Sequence, residues 1–152
     1  MRVWRICRQP YAASALDGIG GMYTSGRWHA KGHAIVYTAS SAALAALEVL
    51  LHVDPLTAPT DLRLLAVEIP DDISKETLDA ARLPAGWNAV PAPAALQALG
   101  TSWLTSGRCA GLVVPSAIIT VEQNVLLNPR HPDMRRVRIL SDDPFTFDTR
   151  LL

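Results

Sequence analysis

The stretch that most constrains the fold runs from Ile35 to His52, where the apolar and β-branched Ile35-Val36-Tyr37-Thr38 gives way to the Ala- and Leu-rich Ala42–Leu51. The first four residues predict a buried strand and the later ten a helix. Ala and Leu lose least on entering a helix, whereas β-branched and aromatic side chains favour the extended chain. The small polar pair Ser40-Ser41 between them supplies the N-cap. One residue does not fit. Glu48 has Ala45, Ala46 and Leu47 before it and Val49, Leu50 and Leu51 after it, so the helix is apolar nearly all round and offers a carboxylate little polar face. Such a group either turns out along a narrow exposed edge or stands at a cleft, where partners must offset its desolvation. Tyr37 shares the ambiguity, being a sheet-surface side chain or a ligand contact.

The 152 residues, 49% of them hydrophobic, fit one domain over 1–152 with a sizeable core. Fourteen basic and 14 acidic residues cancel, which argues against a nucleic-acid or anionic-membrane surface. Arg130, Arg135, Arg136 and Arg138 gather, but Asp133, Asp142 and Asp143 lie among them, and the group reads as a solvated strand edge. Two cysteines, Cys7 and Cys109, are too few for a disulfide framework, so a reducing cytoplasm is the expected setting. Met1–Ile6 has no apolar signal region, and no run approaches the roughly 18 apolar residues that span a bilayer. His29, His33, His52 and His131 have no metal-ligand spacing, so no metal is expected.

Val3–Cys7 alternates as a first strand, with Arg5 opposite Trp4 and Ile6. Ala13–His33 carries five glycines and reads as a loop, yet it displays Met22-Tyr23 and Arg27-Trp28. Arg27-Trp28 is either a stacked surface pair or a binding group. Asp61–Pro70 predicts a strand, Asp71–Arg82 a short helix, and the passage through Pro84, Pro91 and Pro93 a surface loop. Leu96, Leu99 and Trp103 lie at helical spacing and predict a packed face. Ala110–Ile119 is an apolar strand that bends at Pro115-Ser116 or lies at an edge. Glu122–Pro132 reads as a short strand running into a turn, and Arg136–Leu140 as a strand with Val137 and Ile139 on its apolar face. Phe145 and Phe147 then dock on one side. Strands and helices follow no βαβ rhythm, which points to α+β.

Several segments in this order resemble the RES-domain proteins, the toxin half of Xre–RES toxin–antitoxin systems. They are Trp4-Arg5-Ile6, Gly26-Arg27-Trp28, Val36-Tyr37-Thr38-Ala39, Leu47–His52, Leu83–Trp87, Gly100–Leu104, Val114-Pro115-Ser116-Ala117, Glu122–Pro132 and Pro144–Leu151. The family's Arg, Glu and Ser fall on Arg27, Glu48 and Ser116, and its Tyr on Tyr37. The resemblance implies an ADP-ribosyltransferase-like fold: a split, twisted antiparallel sheet with flanking helices and a cleft for NAD. It also implies an activity that consumes NAD as substrate by cleaving the nicotinamide–ribose bond, with water, phosphate or a protein side chain as acceptor. Many members have Asn after Gly-Arg-Trp where this chain has His29, and no contact is carried over there. The implied partner is an Xre-type helix-turn-helix antitoxin whose C-terminal end covers the cleft. DNA contact would then belong to that partner, and a homo-oligomer within the complex is left open.

The chemistry of these residue types agrees. Breaking the nicotinamide–ribose bond builds oxocarbenium-like charge, which a carboxylate on the ribose hydroxyls stabilises more in the transition state than in the substrate. On the resemblance, Glu48 takes that role. Arg27 binds the pyrophosphate, with Arg5 the weaker candidate. Tyr37 stacks on nicotinamide or its ribose, and Ser116 orients the ribose or positions Glu48. A protein ADP-ribosyltransferase and a non-catalytic partner-binding domain stay as alternatives.

Overall fold

The structure, a computed structural model, describes residues 1–152. Seven strands and two α-helices follow one another as β1 (Arg2–Arg8), β2 (Val36–Ala39), α1 (Ala42–Leu50), β3 (Leu62–Glu68), β4 (Lys75–Thr77), α2 (Ala94–Ser106), β5 (Gly111–Pro115), β6 (Gln123–Leu127) and β7 (Arg138–Phe145). The strands form one sheet in the order β4-β5-β6-β2-β1-β3-β7. Every neighbouring pair is antiparallel except β4 and β5. This is the α+β architecture expected. The split lies between β1 and β2, which meet at the single pair Trp4–Ala39, whereas β1 pairs with β3 from Arg2 to Arg8.

Alternation along the strands divides the core. One face carries Val3, Val36, Leu65, Val67, Val113, Val125 and Leu127, covered by loops that supply Ala12, Ala15 and Ile73. The other face carries two separate clusters. Leu112, Val114 and Leu126 pack under Leu96 and Trp103 of α2, while Ile6, Ala39 and Leu62 pack under Leu44 and Ala45 of α1.

Four local expectations need correction. No helix forms over Asp71–Arg82: Lys75-Glu76-Thr77 instead pairs with Gly111–Val113, and only Ala80–Arg82 winds into a 3₁₀ turn. Edge pairing to β5 overrides the weak local helix preference. Next, β5 does not lie at an edge and does not run on to Ile119: the strand stops at Pro115 and the chain bends away through Ala117–Ile119. It sits between β4 and β6 and ends with Pro115 opposite Gln123. In α2 the packed positions are Leu96, Gly100, Trp103 and Leu104, and Leu99 is 43% exposed. Finally, Pro132–Arg136 is a 3₁₀ turn, and the last strand starts at Arg138 and runs on to Phe145. Of the four clustered arginines, only Arg138 therefore lies on a strand, and Arg136 holds Asp72 at 2.6 Å. The two phenylalanines do dock together, ring edge to face with centroids 5.1 Å apart.

Candidate active site

Helix α1 starts where Ser41 accepts the Leu44 N–H at 3.0 Å and donates its own proton to Glu122 at 2.7 Å. Both hydroxyl functions are thus used, and the helix is aimed. Leu44 and Ala45 face the core; Glu48 follows four and three residues later on the same face. That places its carboxylate at a cavity of about 930 Å³ between the two core clusters, a size suited to a small ligand. Of the two readings open for Glu48, the cleft is the one observed. Its Oε1 accepts a 2.6 Å bond from Asn124 Nδ2, and the Asn124 Oδ1 is buried without a partner.

Tyr37 reaches the same cavity from β2. Its hydroxyl accepts the Trp28 N–H at 3.3 Å and lies 2.8 Å from His29 Nδ1. Desolvation pushes the Tyr37 phenol up, and the Trp28 N–H and the nearby Arg27 only partly oppose it, so the group stays protonated. The loop that supplies these contacts packs tightly on the Tyr37 hydroxyl because Gly26 has no side chain there: a Cβ would stand 2.7 Å from it. Trp28 is no surface residue: 2% exposed, it packs with Leu96 and Trp103. That burial turns Arg27 the other way, toward the cavity.

Arg27 donates through Nη1 to the carbonyls of Trp87 (2.8 Å) and Ala89 (3.1 Å), and through Nη2 to Ala89 (3.1 Å). It thereby ties the Pro-rich loop to the cleft. Arg5 enters at the split. Its Nη1 donates 2.9 Å to the Tyr37 carbonyl, a backbone group for which β1 offers no ladder partner, and its Nε is buried and unpaired. Burial pulls the Arg5 guanidinium down, opposed by neighbouring Cys7, and no carboxylate compensates it. A buried cation without a carboxylate partner is stabilised by any anion brought within reach of it.

The sequence-predicted residues Arg5, Arg27, Tyr37 and Glu48 therefore meet at one cavity, but Ser116 does not line it. Ser116 is fully buried, and its Oγ accepts the N–H groups of Ile118 (3.1 Å) and Ile119 (3.2 Å). It shapes the turn whose Ala117 and Ile118 touch the cavity. Two residues escaped the sequence reading. His29 departs from the family's pattern, and Asn124 sits inside a strand with no motif of its own. The signal for Asn124 was an Asn, a poor strand former, two residues from the fully buried Leu126 and hence on its face. No group of three or more His, Cys, Asp or Glu is placed to hold a metal, and no helix is long and apolar enough to cross a membrane.

The chain is 43% identical to "Toxin Res" of Pseudomonas putida and 40% identical to "Toxin Res" of Yersinia enterocolitica, in each case over 99% of both chains. It is 39% identical to "Prs ADP-ribosylating toxin" of Sphingobium sp., over 98% of this chain and 95% of that one. In fold it is similar to a chain of the M. tuberculosis MbcT–MbcA toxin–antitoxin complex. The TM-score is 0.73 at 18% identity, over 95% of this chain and 84% of that one. Residues 2–148 match the RES domain, and on that match together with these identities the chain belongs to the RES domain family.

Proposed function

We propose that this protein is the toxin of a toxin–antitoxin pair and that its cleft cleaves the nicotinamide–ribose bond of NAD. The observation that carries the reading is the convergence of Glu48, Tyr37, Arg27 and Arg5 on one cavity at the split of the sheet. When the bond between ribose C1′ and the pyridinium nitrogen breaks, the electron pair leaves with nicotinamide and positive charge spreads over C1′ and the ring oxygen. Glu48 accepts hydrogen bonds from the ribose hydroxyls and stabilises that charge as it forms. Tyr37 offers its ring to nicotinamide or the adjoining ribose. Arg5 supplies buried positive charge for the pyrophosphate. Arg27, whose present partners are neutral carbonyls, exchanges them for phosphate oxygens. Ser116 acts on the cleft through the turn it anchors.

An acceptor oxygen then bonds to C1′. From water the products are ADP-ribose and a proton; from phosphate, ADP-ribose carrying a phosphate on C1′. A second reading has a protein side chain as acceptor, and the relative named an ADP-ribosylating toxin favours it. The same proposal includes a cytoplasmic setting and a helix-turn-helix antitoxin of the Xre type whose C-terminal end covers the cleft. The likeness to a chain of a toxin–antitoxin complex supports an antitoxin partner.

The test is the fate of NAD incubated with purified, antitoxin-free protein, followed by chromatography with and without phosphate. Release of nicotinamide supports the reading, and dependence on phosphate separates phosphorolysis from hydrolysis. Adenylate label on one protein of an added extract, with no free ADP-ribose, establishes transfer to protein. NAD left intact by folded protein, with extract present or absent, overturns catalysis and leaves a partner-binding domain.

A further inference from the structure

Asn124 stands in the middle of the sheet, with Ala39 opposite it on β2 and Val114 on β5, so its side chain springs from backbone fixed on both sides. Register puts it on the face of Ala39, and hence of Tyr37 two residues earlier. The orientation of its amide follows from chemistry. An ionised carboxylate only accepts, so the group 2.6 Å from Glu48 is Nδ2, and Oδ1 points elsewhere. That oxygen is buried and has no partner. Unpaired buried acceptors are rare, and because Asn124 belongs to the cavity lining, a ligand bound there is a source for the missing donor.

We infer that Asn124 is a two-sided positioning residue: Nδ2 aims the Glu48 carboxylate, and Oδ1 accepts a hydrogen bond from a neutral N–H or O–H donor on the bound substrate. The second half rests on the NAD reading above. With Oε1 held by Asn124, the carboxylate is fixed about its own axis and Oε2 is left for the ribose hydroxyls. A substrate donor on Oδ1 then places the sugar against the same amide that holds the carboxylate, so one side chain sets the distance between them. In NAD two groups near the scissile bond carry such a donor: the ribose hydroxyls and the carboxamide of nicotinamide.

Two measurements test this. First, nicotinamide release by wild type and Asn124→Ala is followed on NAD, and release of the corresponding base on the 3-acetylpyridine analogue, which lacks the carboxamide N–H. The variant is expected to lose about 10- to 100-fold in kcat on NAD, the factor that goes with one hydrogen bond to a charged group. A further loss of discrimination between the two dinucleotides assigns the donor to the carboxamide, and equal loss on both excludes the carboxamide. On a dinucleotide whose nicotinamide ribose lacks the 2′-hydroxyl, a smaller loss in the variant assigns the donor to the ribose, whereas the same loss on all three overturns the substrate contact at Oδ1. Wild-type kcat and KM in Asn124→Ala overturn the inference. Second, the side-chain NH₂ resonance of Asn124, identified by its disappearance in Asn124→Ala, is compared in wild type and Glu48→Gln without any nucleotide. It is expected to move, because the carboxylate acceptor has become an amide oxygen. A resonance that stays put overturns the aiming of Glu48 whatever the protein does to NAD. Inactivity of the wild type itself toward NAD defeats the substrate half together with the reading it rests on, and leaves the spectrum to decide the other half.

Discussion

His29 Nδ1 lies 2.8 Å from the Tyr37 hydroxyl, and the far side of the ring fixes the direction of that bond. Nε2 is 2.9 Å from the carbonyl of Thr24, which only accepts, so Nε2 carries the ring proton. Nδ1 is then the bare nitrogen of a neutral imidazole, and Tyr37 donates to it. Burial favours that neutral form by pulling the His29 pKa down. Because the same hydroxyl accepts the Trp28 N–H, Tyr37 is tied on both sides and has no proton left to donate to a ligand.

Replacing Tyr37 by Phe keeps the ring and strands the Trp28 N–H and His29 Nδ1. A buried polar group left unmatched costs about 1–3 kcal/mol, so Tyr37→Phe is expected to lower the urea midpoint by a corresponding amount. Its nicotinamide release should fall far less than that of Tyr37→Ala. A Phe variant as stable as wild type would show that the hydroxyl is not tied in this way.

The same imidazole makes stability depend on pH. Its ordinary pKa of 6.5 applies to the unfolded chain, and the folded value lies below it. In the window between the two, the unfolded chain binds a proton that the folded chain does not, so stability rises with pH. The His29 contribution is therefore complete above about pH 6.5. It is lost as pH falls through the folded value. Thermal midpoints measured from pH 7.5 to 4.5 should decline below pH 6.5 in wild type and decline less in His29→Asn, whose amide does not titrate. Parallel curves would rule out His29 as the source.

Glu48→Gln tests charge separately from shape. The Gln carbonyl still accepts from Asn124, so the fold and thermal midpoint should hold. The charge that meets the oxocarbenium is gone, and release of nicotinamide should drop by roughly 10²–10³-fold, the scale of a lost transition-state electrostatic contact. Growth arrest on expression should go with it. Wild-type NAD consumption in this variant would rule out Glu48 as the stabilising group.

Arg27 holds Trp87 and Ala89, in a stretch with no strand or α-helix, through three side-chain bonds. Removing them in Arg27→Ala leaves that loop with little to close it down. Hydrogen exchange over residues 85–92 should speed up by about tenfold or more, the effect of losing roughly 1.4 kcal/mol of local stability. Exchange in α1 should not change. Unaltered protection of the loop would mean that its own packing holds it.

Much of this architecture was legible in the chain. Strand β1 was readable from the weak alternation of Val3–Cys7, and β3 and β6 from apolar, β-branched runs bounded by proline and turn residues. Helix α1 was readable because Ala and Leu are strong helix formers and Ser41 caps them. Glu48 stood out because a charge in an apolar helix needs a partner. What stayed hidden depends on pairing across the fold. Lys75-Glu76-Thr77 is a strand only because β5 has an edge to offer it. Ser116 looks available after a proline but is enclosed by its own turn. Asn124 has meaning only once Glu48 stands 2.6 Å away.

Gly100 joins these two kinds of information. Inside a helix Gly costs about 1 kcal/mol relative to Ala, so sequence alone recommends Gly100→Ala as stabilising. In the fold, a Cβ at Gly100 would run into the carbonyl of Trp28. That backbone has nowhere to retreat: the Trp28 N–H is held by Tyr37, Ala30 N–H by Thr101 at 2.9 Å, and the indole is locked in the core. Overpacking of this kind costs about 1–3 kcal/mol, enough to cancel or outweigh the helix gain. Gly100→Ala is therefore expected to be no more stable than wild type in urea, and to lose NAD turnover as the Gly26–His29 turn shifts Arg27. Gly20→Ala is the control, since a Cβ there meets nothing within 4 Å. A Gly100→Ala protein more stable than wild type and fully active would show that α2 does not hold the loop that carries Arg27.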